Sequence, residues 1–374
     1  MATWIALGVL SFATRATSAP FPFAEGAFFT QLAKAGQERK IQVLVLDPRS
    51  VHPGTRHASG YGWQKGQWQR ASVELPALLY DRCYYPSRAA YRRLAPFVAA
   101  IKALPHVTFL GHGLPHKWAV YRMLRTAPAL RPYLPETAPL STAAQLRLWL
   151  RRHGSIVVKP RGGAQGRGVL RVKPEGGGWH VVGRDSRNRP VALHIASIEA
   201  LWAHLLPLHR SSSLIIQPYL ALHTANQTPF DLRVLVQKDG TGTWQLTGTA
   251  VRAGQPGSLT ANLHGGGTAL ATKPFLDAHY PPQTVAAITE QVHTIAAIVP
   301  RHLEALHGRL FELGIDLGIE PDGRVWILEV NSKPGRASFW HTGDRKAAQL
   351  SVLRPLEYAR WLSASPPRTG GRFS

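Results

Sequence analysis

The sequence predicts an α/β protein arranged as three lobes, and three observations carry that prediction. The chain opens strand, helix, strand, the order of an α/β layer. Its middle holds a strand, a glycine-rich loop and a second strand. Near the C-terminus two apolar runs, Phe311–Glu320 and Val325–Asn331, flank the turn Pro321-Asp322-Gly323 and read as a β-hairpin. With 374 residues the chain can bury a sizeable core and divide into two or three lobes.

The first lobe is expected over residues 1–110. Trp4–Leu10 reads as a buried strand, Phe23–Arg39 as a helix and Ile41–Asp47 as a second buried strand. A competing reading makes Trp4–Phe12 the core of a signal peptide, with the small Ala19 before Pro20. The strand is preferred because Arg15 follows the apolar run instead of preceding it. Val51–Arg70, rich in Gly, His and Trp, reads as a meander, and Ala77–Tyr80 as another strand. Asp81 and Arg82 close that strand. They either face a ligand, as strand C-termini do in open α/β sheets, or pair with each other.

The second lobe is expected over 111–215. His116–Leu124 and Thr142–His153 read as helices, Ser155–Pro160 and Val169–Val172 as strands around the glycine loop, and Trp179–Gly183 and Ala192–Ile195 as further strands before a helix near Ser197–Leu205. The third lobe, 216–365, is entered along the apolar strand Leu214–Leu220. It continues with strands Asp231–Gln237 and Trp244–Arg252 and helices near Gln283–His307 and Lys346–Ala364; residues 366–374 read as a tail. No apolar run reaches the ~18 residues that span a bilayer.

The C-terminal hairpin concentrates the chemistry. Asp316 sits on its first strand, and Glu329 and Asn331, two apart on the second, share a face. Oxygen ligands converging in this way suit Mg²⁺ held against nucleotide phosphates. In the middle lobe, Gly162, Gly163, Gly166 and Gly168 form a loop whose backbone N–H groups can turn toward an anion. It is not a Walker motif, since no Gly-Lys-Ser/Thr follows, and a glycine hairpin without a ligand is an equally open reading. Lys159, on the strand before it, can reach phosphate oxygens, and Lys117 at a helix start is a second candidate or a solvated lysine. Gln217 and Tyr219 end the interlobe strand, where backbone groups can meet an adenine edge or simply connect lobes. Arg233 offers a fork for phosphate oxygens, Arg252 ends the next strand, and Asn262-Leu-His264-Gly265-Gly-Gly267 forms a second glycine run or a flexible loop.

The formal charge is +23, with 33 of the 44 basic residues being Arg. Such an excess attracts polyanions, or reflects GC-rich coding that also raises Ala, Pro and Gly. No nucleic-acid module is visible. The single Cys83 excludes an internal disulfide and a cysteine-based metal cluster, and points to a reducing compartment.

Taken in order, these pieces resemble the ATP-grasp superfamily and, within it, the YheC/YheD family known as endospore coat-associated proteins of spore-forming bacteria. The carrying residues are Lys117-Trp-Ala-Val-Tyr, Val158-Lys-Pro, Gly163-Ala-Gln-Gly-Arg-Gly168, Pro229-Phe-Asp-Leu-Arg-Val-Leu-Val-Gln-Lys-Asp239, Asn262-Leu-His-Gly-Gly-Gly267 and Glu329-Val-Asn-Ser-Lys-Pro-Gly-Arg336. The resemblance implies an ATP-grasp fold, with a pre-ATP-grasp-like N-terminal lobe and two lobes sandwiching ATP. It implies phosphate contacts from Lys117, Lys159 and the glycine loop, and nucleotide contacts from Gln217, Tyr219 and Asn262. Asp316, Glu329 and Asn331 would hold one or two Mg²⁺, and Arg233, Arg252 and Arg336 would handle the transferring phosphoryl group and an acidic substrate. One departure stands out: many ATP-grasp enzymes carry an acidic residue for the ribose after the interlobe strand, whereas here no carboxylate follows Tyr219 until Asp231.

The expected reaction is ATP-dependent carboxylate–amine ligation through an acyl phosphate, with positioning and charge neutralisation instead of a side-chain nucleophile. The basic charge suits an acidic peptide or envelope polymer as substrate. The alternatives are a non-catalytic coat-associated protein keeping the fold, and an ATP-grasp kinase. A cytoplasmic location is expected, with the family label adding the spore coat.

Overall fold

The structure is a computed structural model that describes residues 3–14, 21–52, 54, 56–162, 167–255 and 267–364. The parts of the glycine loop at 163–166, of the second glycine run at 256–266 and of the tail at 365–374 lie outside the described residues, as does the Ala19–Pro20 junction.

The first lobe contains β1 (Ile5–Leu10), α1 (Gly26–Glu38), β2 (Ile41–His52), β3 (His57–Gln64), β4 (Gln67–Glu74), β5 (Leu78–Asp81), α2 (Arg88–Lys102) and β6 (Thr108–Phe109). Their sheet runs β4-β3-β2-β1-β5-β6. β1 pairs parallel with β2 and β5, and β5 parallel with β6, so the continuous apolar runs sit at the centre, covered on both faces. Leu7, Val9, Val43 and Val45 face α1, while Leu10, Leu44, Leu46 and Leu79 pack with Val98 and Ile101 of α2. Residues 57–74, within and just beyond the expected meander, form a regular antiparallel hairpin instead. Its inward side uses glycine: a Cβ on Gly60 would lie 2.4 Å from a Leu46 methyl, so the close approach of β3 to β2 depends on the missing side chain. Lys65 and Gly66, both at positive φ, make its turn.

The second lobe holds α3 (Lys117–Arg125), β7 (Ala138–Leu140), α4 (Ala143–His153), β8 (Ile156–Pro160), β9 (Leu170–Glu175), β10 (Gly178–Arg184), β11 (Pro190–Ile195), α5 (Ile198–Ser211) and β12 (Leu214–Pro218) in sequence order, but α3 does not pack there. Val120 and Leu124 of α3, with Leu130 and Leu134, join the core of the third lobe. The expected boundary near 111 therefore moves to about 135 in packing terms. The antiparallel sheet β11-β10-β9-β8-β12-β7 buries Ile156, Val158, Leu170, Val172 and Ile216 beneath α4 and α5. By the two-residue period of a strand, Val157, Lys159, Arg171 and Val182 take the opposite face.

In the third lobe β13 (Phe230–Lys238), β14 (Trp244–Ala253), β15 (Thr268–Leu270), β16 (Glu312–Ile319) and β17 (Val325–Asn331) form the antiparallel sheet β15-β14-β13-β16-β17. The helices are α6 (Thr272–His279), α7 (Pro282–His307), α8 (Ala337–His341) and α9 (Arg345–Ala364). Leu232, Val234, Leu313, Ile315 and Leu317 pack on α7. On the other face Leu235 meets Phe339, Ala347 and Ala348 of α8 and α9, leaving the Asp231, Arg233 and Asp316 end open. α9 also reaches back to the first lobe through Val352, Leu356 and Tyr358. No helix among the described residues is long and apolar enough to cross a membrane.

Candidate active site

One cleft of about 1200 Å³ runs between the lobes. Its third-lobe wall is the expected hairpin. Asp316 pairs directly with Glu329, and Gly314 with Asn331. The register slips after Asp316, so Leu317 pairs with Ile327 and Leu328 is the extra residue of a bulge. Bulges re-aim side chains, and here Leu328 and Glu329 both line the cleft, with Asn331 and Asp316. The three oxygen donors named from sequence are thus together on one wall.

Each carboxylate there has a cation. Arg233 donates Nε to Asp316 Oδ1 at 2.6 Å and Nη2 to Oδ2 at 3.2 Å. Arg252 donates Nε and Nη2 to Asp231 at 2.6 and 2.8 Å, and its Nη2 lies 3.0 Å from Asp316 Oδ2. Burial alone would raise Asp316, but the Arg233 and Arg252 guanidiniums hold its carboxyl below the usual range. Burial pushes Asp231 up to about 6 in spite of Arg252. Arg252 is itself held above its usual value by Asp316 and Asp231, against the opposing effect of burial. Lys117, in the first turn of α3 behind the His116 cap, donates to Glu329 Oε2 at 2.6 Å.

Lys159 faces this wall from β8. Its side chain makes no hydrogen bond or ion pair with the described residues, and burial with the nearby Lys117 ammonium pulls it down to about 8. Such a cation fits an anion arriving from outside. Gly162 and Gly168 frame the glycine loop between β8 and β9; Gly168 has φ of +72°, which favours glycine. Gly163, Gly166 and Asn262, with His264, lie outside the described residues.

Gln217 and Tyr219 line the cleft, though their polar groups are partly engaged. The Gln217 amide donates to Thr137 Oγ1 at 2.7 Å, and the Tyr219 N–H to the Ser155 carbonyl at 2.9 Å. The Arg171 guanidinium stacks 3.5 Å from the Tyr219 ring centroid. The crossing segment is pinned to β16 by Leu222 against Gly318, where a Cβ would sit 2.6 Å from a leucine methyl.

One expectation is corrected, and one of two open alternatives is removed. Arg336 does not line the cleft: it is buried and donates to Glu312, to Tyr80 Oη at 2.7 Å and to the Ser351 carbonyl at 3.2 Å. Unlike Arg233 and Arg252, which are also paired but line the cleft, Arg336 lies away from it and ties the first lobe to the third through Tyr80 and Glu312. Asp81 and Arg82 do not pair with each other. Asp81 accepts from Lys333 Nζ at 2.7 Å, whereas Arg82 donates to Glu25 and Glu312 at 2.6 and 2.9 Å.

Residues the sequence reading passed over also line the cleft: Arg171 and Arg184 from the second lobe, Lys102 from α2, and His223 and Gln227 from the loop after the crossing strand. The alternation Leu170-Arg171-Val172 was a readable signal for Arg171; the loop residues had none. Among the described residues eight Lys or Arg and four Asp or Glu line the cleft, about the same two-to-one excess as the 44 to 21 of the whole chain, so the basic charge is not concentrated at its walls.

A family model described as YheC/D-like ATP-grasp matches residues 106–362. This chain belongs to the YheC/YheD-like ATP-grasp family. It is 31% identical over 351 residues to endospore coat-associated protein YheC of Bacillus subtilis (strain 168), covering 92% of this chain and 95% of that protein. Among solved structures, D-cycloserine synthetase DcsG aligns with a TM-score of 0.54 at 16% identity, over 94% of this chain and 99% of that one. The ATP-grasp ligase PsnB, solved with a minimal precursor, Mg and ADP, aligns at 0.51 and 13% identity, over 94% and 98%. At these identities the structural likeness speaks for the fold.

For an ATP-grasp site the donor set fits Mg²⁺: two carboxylates and one amide oxygen, all hard ligands, converge from adjacent strands. Among the described residues no cluster of three His, Cys, Asp or Glu could hold a metal, so the Asn331 amide is the natural third donor.

Proposed function

We propose that this protein is an ATP-dependent ligase that joins a carboxylate to an amine through an acyl phosphate. The observation that carries the reading is the facing of two walls: Asp316, Glu329 and Asn331 on the hairpin, with Lys117 held on Glu329, and opposite them Lys159 of β8, whose side chain has no partner among the described residues. Asp316, Glu329 and Asn331 hold Mg²⁺, and Lys117 leaves Glu329 for the phosphates. Bound Mg²⁺ supplies charge neutralisation at the phosphate oxygens. Lys159 and the glycine loop position the triphosphate, and Leu328 and Tyr219 bound the apolar end of the cleft. Arg233 and Arg252, already oriented by Asp316 and Asp231, present N–H groups to the substrate carboxylate and the phosphoryl group it accepts. The carboxylate oxygen attacks the γ-phosphorus and ADP leaves. The amine then attacks the carbonyl carbon, phosphate departs with the C–O electron pair, and the amine gives up a proton.

The protein is assayed with Mg·ATP and paired acids and amines. ADP and free phosphate in equal amounts, dependent on both partners, support ligation. ADP with phosphate retained on an organic product makes it a kinase. ATP bound with no turnover favours a coat-associated binding protein. That reading draws on the pairing of Asp316 with Arg233 and Arg252 and of Glu329 with Lys117.

A further inference from the structure

The cleft is larger than one nucleotide site needs. Single-ligand pockets run to about 1000 Å³ at the upper end, and here the residues assigned to nucleotide occupy the second- and third-lobe walls. The remaining wall belongs to the first lobe. It is built from the Asp81 end of β5 and one face of α2, where Tyr91, Ala95, Ala99 and Lys102 line the cleft at helical spacing. Ala95 and Ala99 leave an open floor, and Tyr91 stands 55% exposed at the mouth.

The charges on this wall are arranged in a particular way. Lys333, two residues beyond Asn331, donates to Asp81 Oδ1 at 2.7 Å and to the Cys83 carbonyl at 2.8 Å, so its ammonium is committed. Lys102 is not. It lies 3.7 Å from Asp81 Oδ2, outside hydrogen-bond reach, with its side chain 32% exposed. A fixed carboxylate and a loosely held ammonium thus sit side by side, next to the segment that carries the metal donors.

We infer that the first-lobe wall is the amine-acceptor subsite, and that it takes an α-amino acid with an apolar or aromatic side chain. An α-amino acid carries its ammonium and carboxylate on one carbon, the mirror of the Asp81–Lys102 pair. Docked head to tail, it brings its ammonium to Asp81 Oδ2, the oxygen Lys333 does not take, and its carboxylate to Lys102, which gains a carboxylate partner of its own. Its side chain lies over Ala95 and Ala99 against Tyr91. The ammonium then stands at the Asn331–Lys333 side of the cleft and, once it has given one proton to solvent, its nitrogen lone pair attacks the carbonyl. A simple amine lacks the carboxylate and leaves Lys102 unused, which is how the site discriminates.

The inference rests on the ligase reading, and one calorimetric series separates the two. Mg·ADP is titrated first. Protein saturated with it is then titrated with L- and D-phenylalanine and L- and D-leucine, and with phenethylamine and isopentylamine, their decarboxylated counterparts. At least one amino acid binds, and its decarboxylated counterpart binds about tenfold or more weakly. Lys102→Met and Tyr91→Ala, both at exposed positions of α2, weaken the amino acid to a similar degree and leave Mg·ADP affinity unchanged. Absence of Mg·ADP binding overturns both the ligase reading and this subsite. Binding of Mg·ADP without binding of any of these amino acids overturns the subsite alone. So does equal binding of the simple amines, or variants that bind as wild type.

Discussion

Glu312 lies four residues before Asp316 on the same face of β16, and its carboxylate is the centre of the tether between the first and third lobes. It accepts from Tyr80 Oη at 2.5 Å, Arg82 Nη1 at 2.9 Å, Gln237 Nε2 at 3.1 Å and Arg336 Nη2. The side chains of Glu312, Arg82 and Arg336 are 2%, 0% and 3% exposed. Glu312→Gln keeps the shape and removes the charge. Arg82 retains Glu25, but Arg336 loses its only carboxylate among the described residues while still buried. Breaking a buried pair from one side costs about 3–5 kcal/mol; with Arg82 still paired, the lower end, about 3 kcal/mol, is expected. Glu136→Gln is the control, since Arg152 and Glu136 are 65% and 43% exposed and such pairs contribute about 0–1 kcal/mol. Urea unfolding followed by tryptophan fluorescence measures both, through the shift in midpoint at constant slope. A loss for Glu312→Gln below about 1 kcal/mol, matching the control, would refute the view that this carboxylate locks the lobes.

Lys159 gives a pH signature: its ammonium titrates near 8 in the free protein, so anion binding falls as pH rises through that value. ADP affinity measured from pH 7 to 10 should decline above about 8 in wild type, and Lys159→Met should flatten the profile; a wild-type curve with no decline speaks against Lys159 as a phosphate ligand. His223 and Gln227 line the cleft where no carboxylate follows Tyr219 until Asp231, and the ribose hydroxyls are expected to meet them. His223 Nδ1 lies 3.1 Å from the Thr224 carbonyl, which leaves Nε2 to meet a hydroxyl. His223→Ala and Gln227→Ala should each weaken ATP by roughly 1 kcal/mol and leave 2′-deoxy-ATP nearly unchanged; equal losses for both nucleotides would remove these residues from ribose recognition.

The hairpin was legible because its signals are local: two apolar runs, a Pro-Asp-Gly turn, Asp316 on one strand and Glu329 and Asn331 two apart on the other. Lys159 was legible from its place on the strand just before the glycine loop, and the parallel strands β1 and β2 read correctly as continuous apolar runs. The β3–β4 hairpin was missed because Gly60 and Gly62 occupy positions where apolar side chains would have shown the alternation. Arg336 was misread for a different reason. Its partners Tyr80 and Glu312 are distant in sequence, Glu312 hides within an apolar strand, and nothing local distinguishes a buried tether from a phosphate ligand. α3 was recognised as a helix, but its packing against α7 is a tertiary choice that its own sequence does not announce. The bulge at Leu328, which turns Glu329 into the cleft, was equally invisible, since it appears only when β16 and β17 are paired.

The account turns on a working nucleotide site at the hairpin, and thermal unfolding with and without Mg·ATP tests it most directly, on wild type and on Glu329→Ala. A ligand at a hundredfold excess over its Kd stabilises the native state by about 2.7 kcal/mol. The wild-type melting temperature should therefore rise with Mg·ATP, more than with ATP alone, and Glu329→Ala should lose the Mg-dependent part. A wild type that does not shift at millimolar Mg·ATP, or a Glu329→Ala protein that shifts as wild type does, would contradict the assignment of Asp316, Glu329 and Asn331 to the metal.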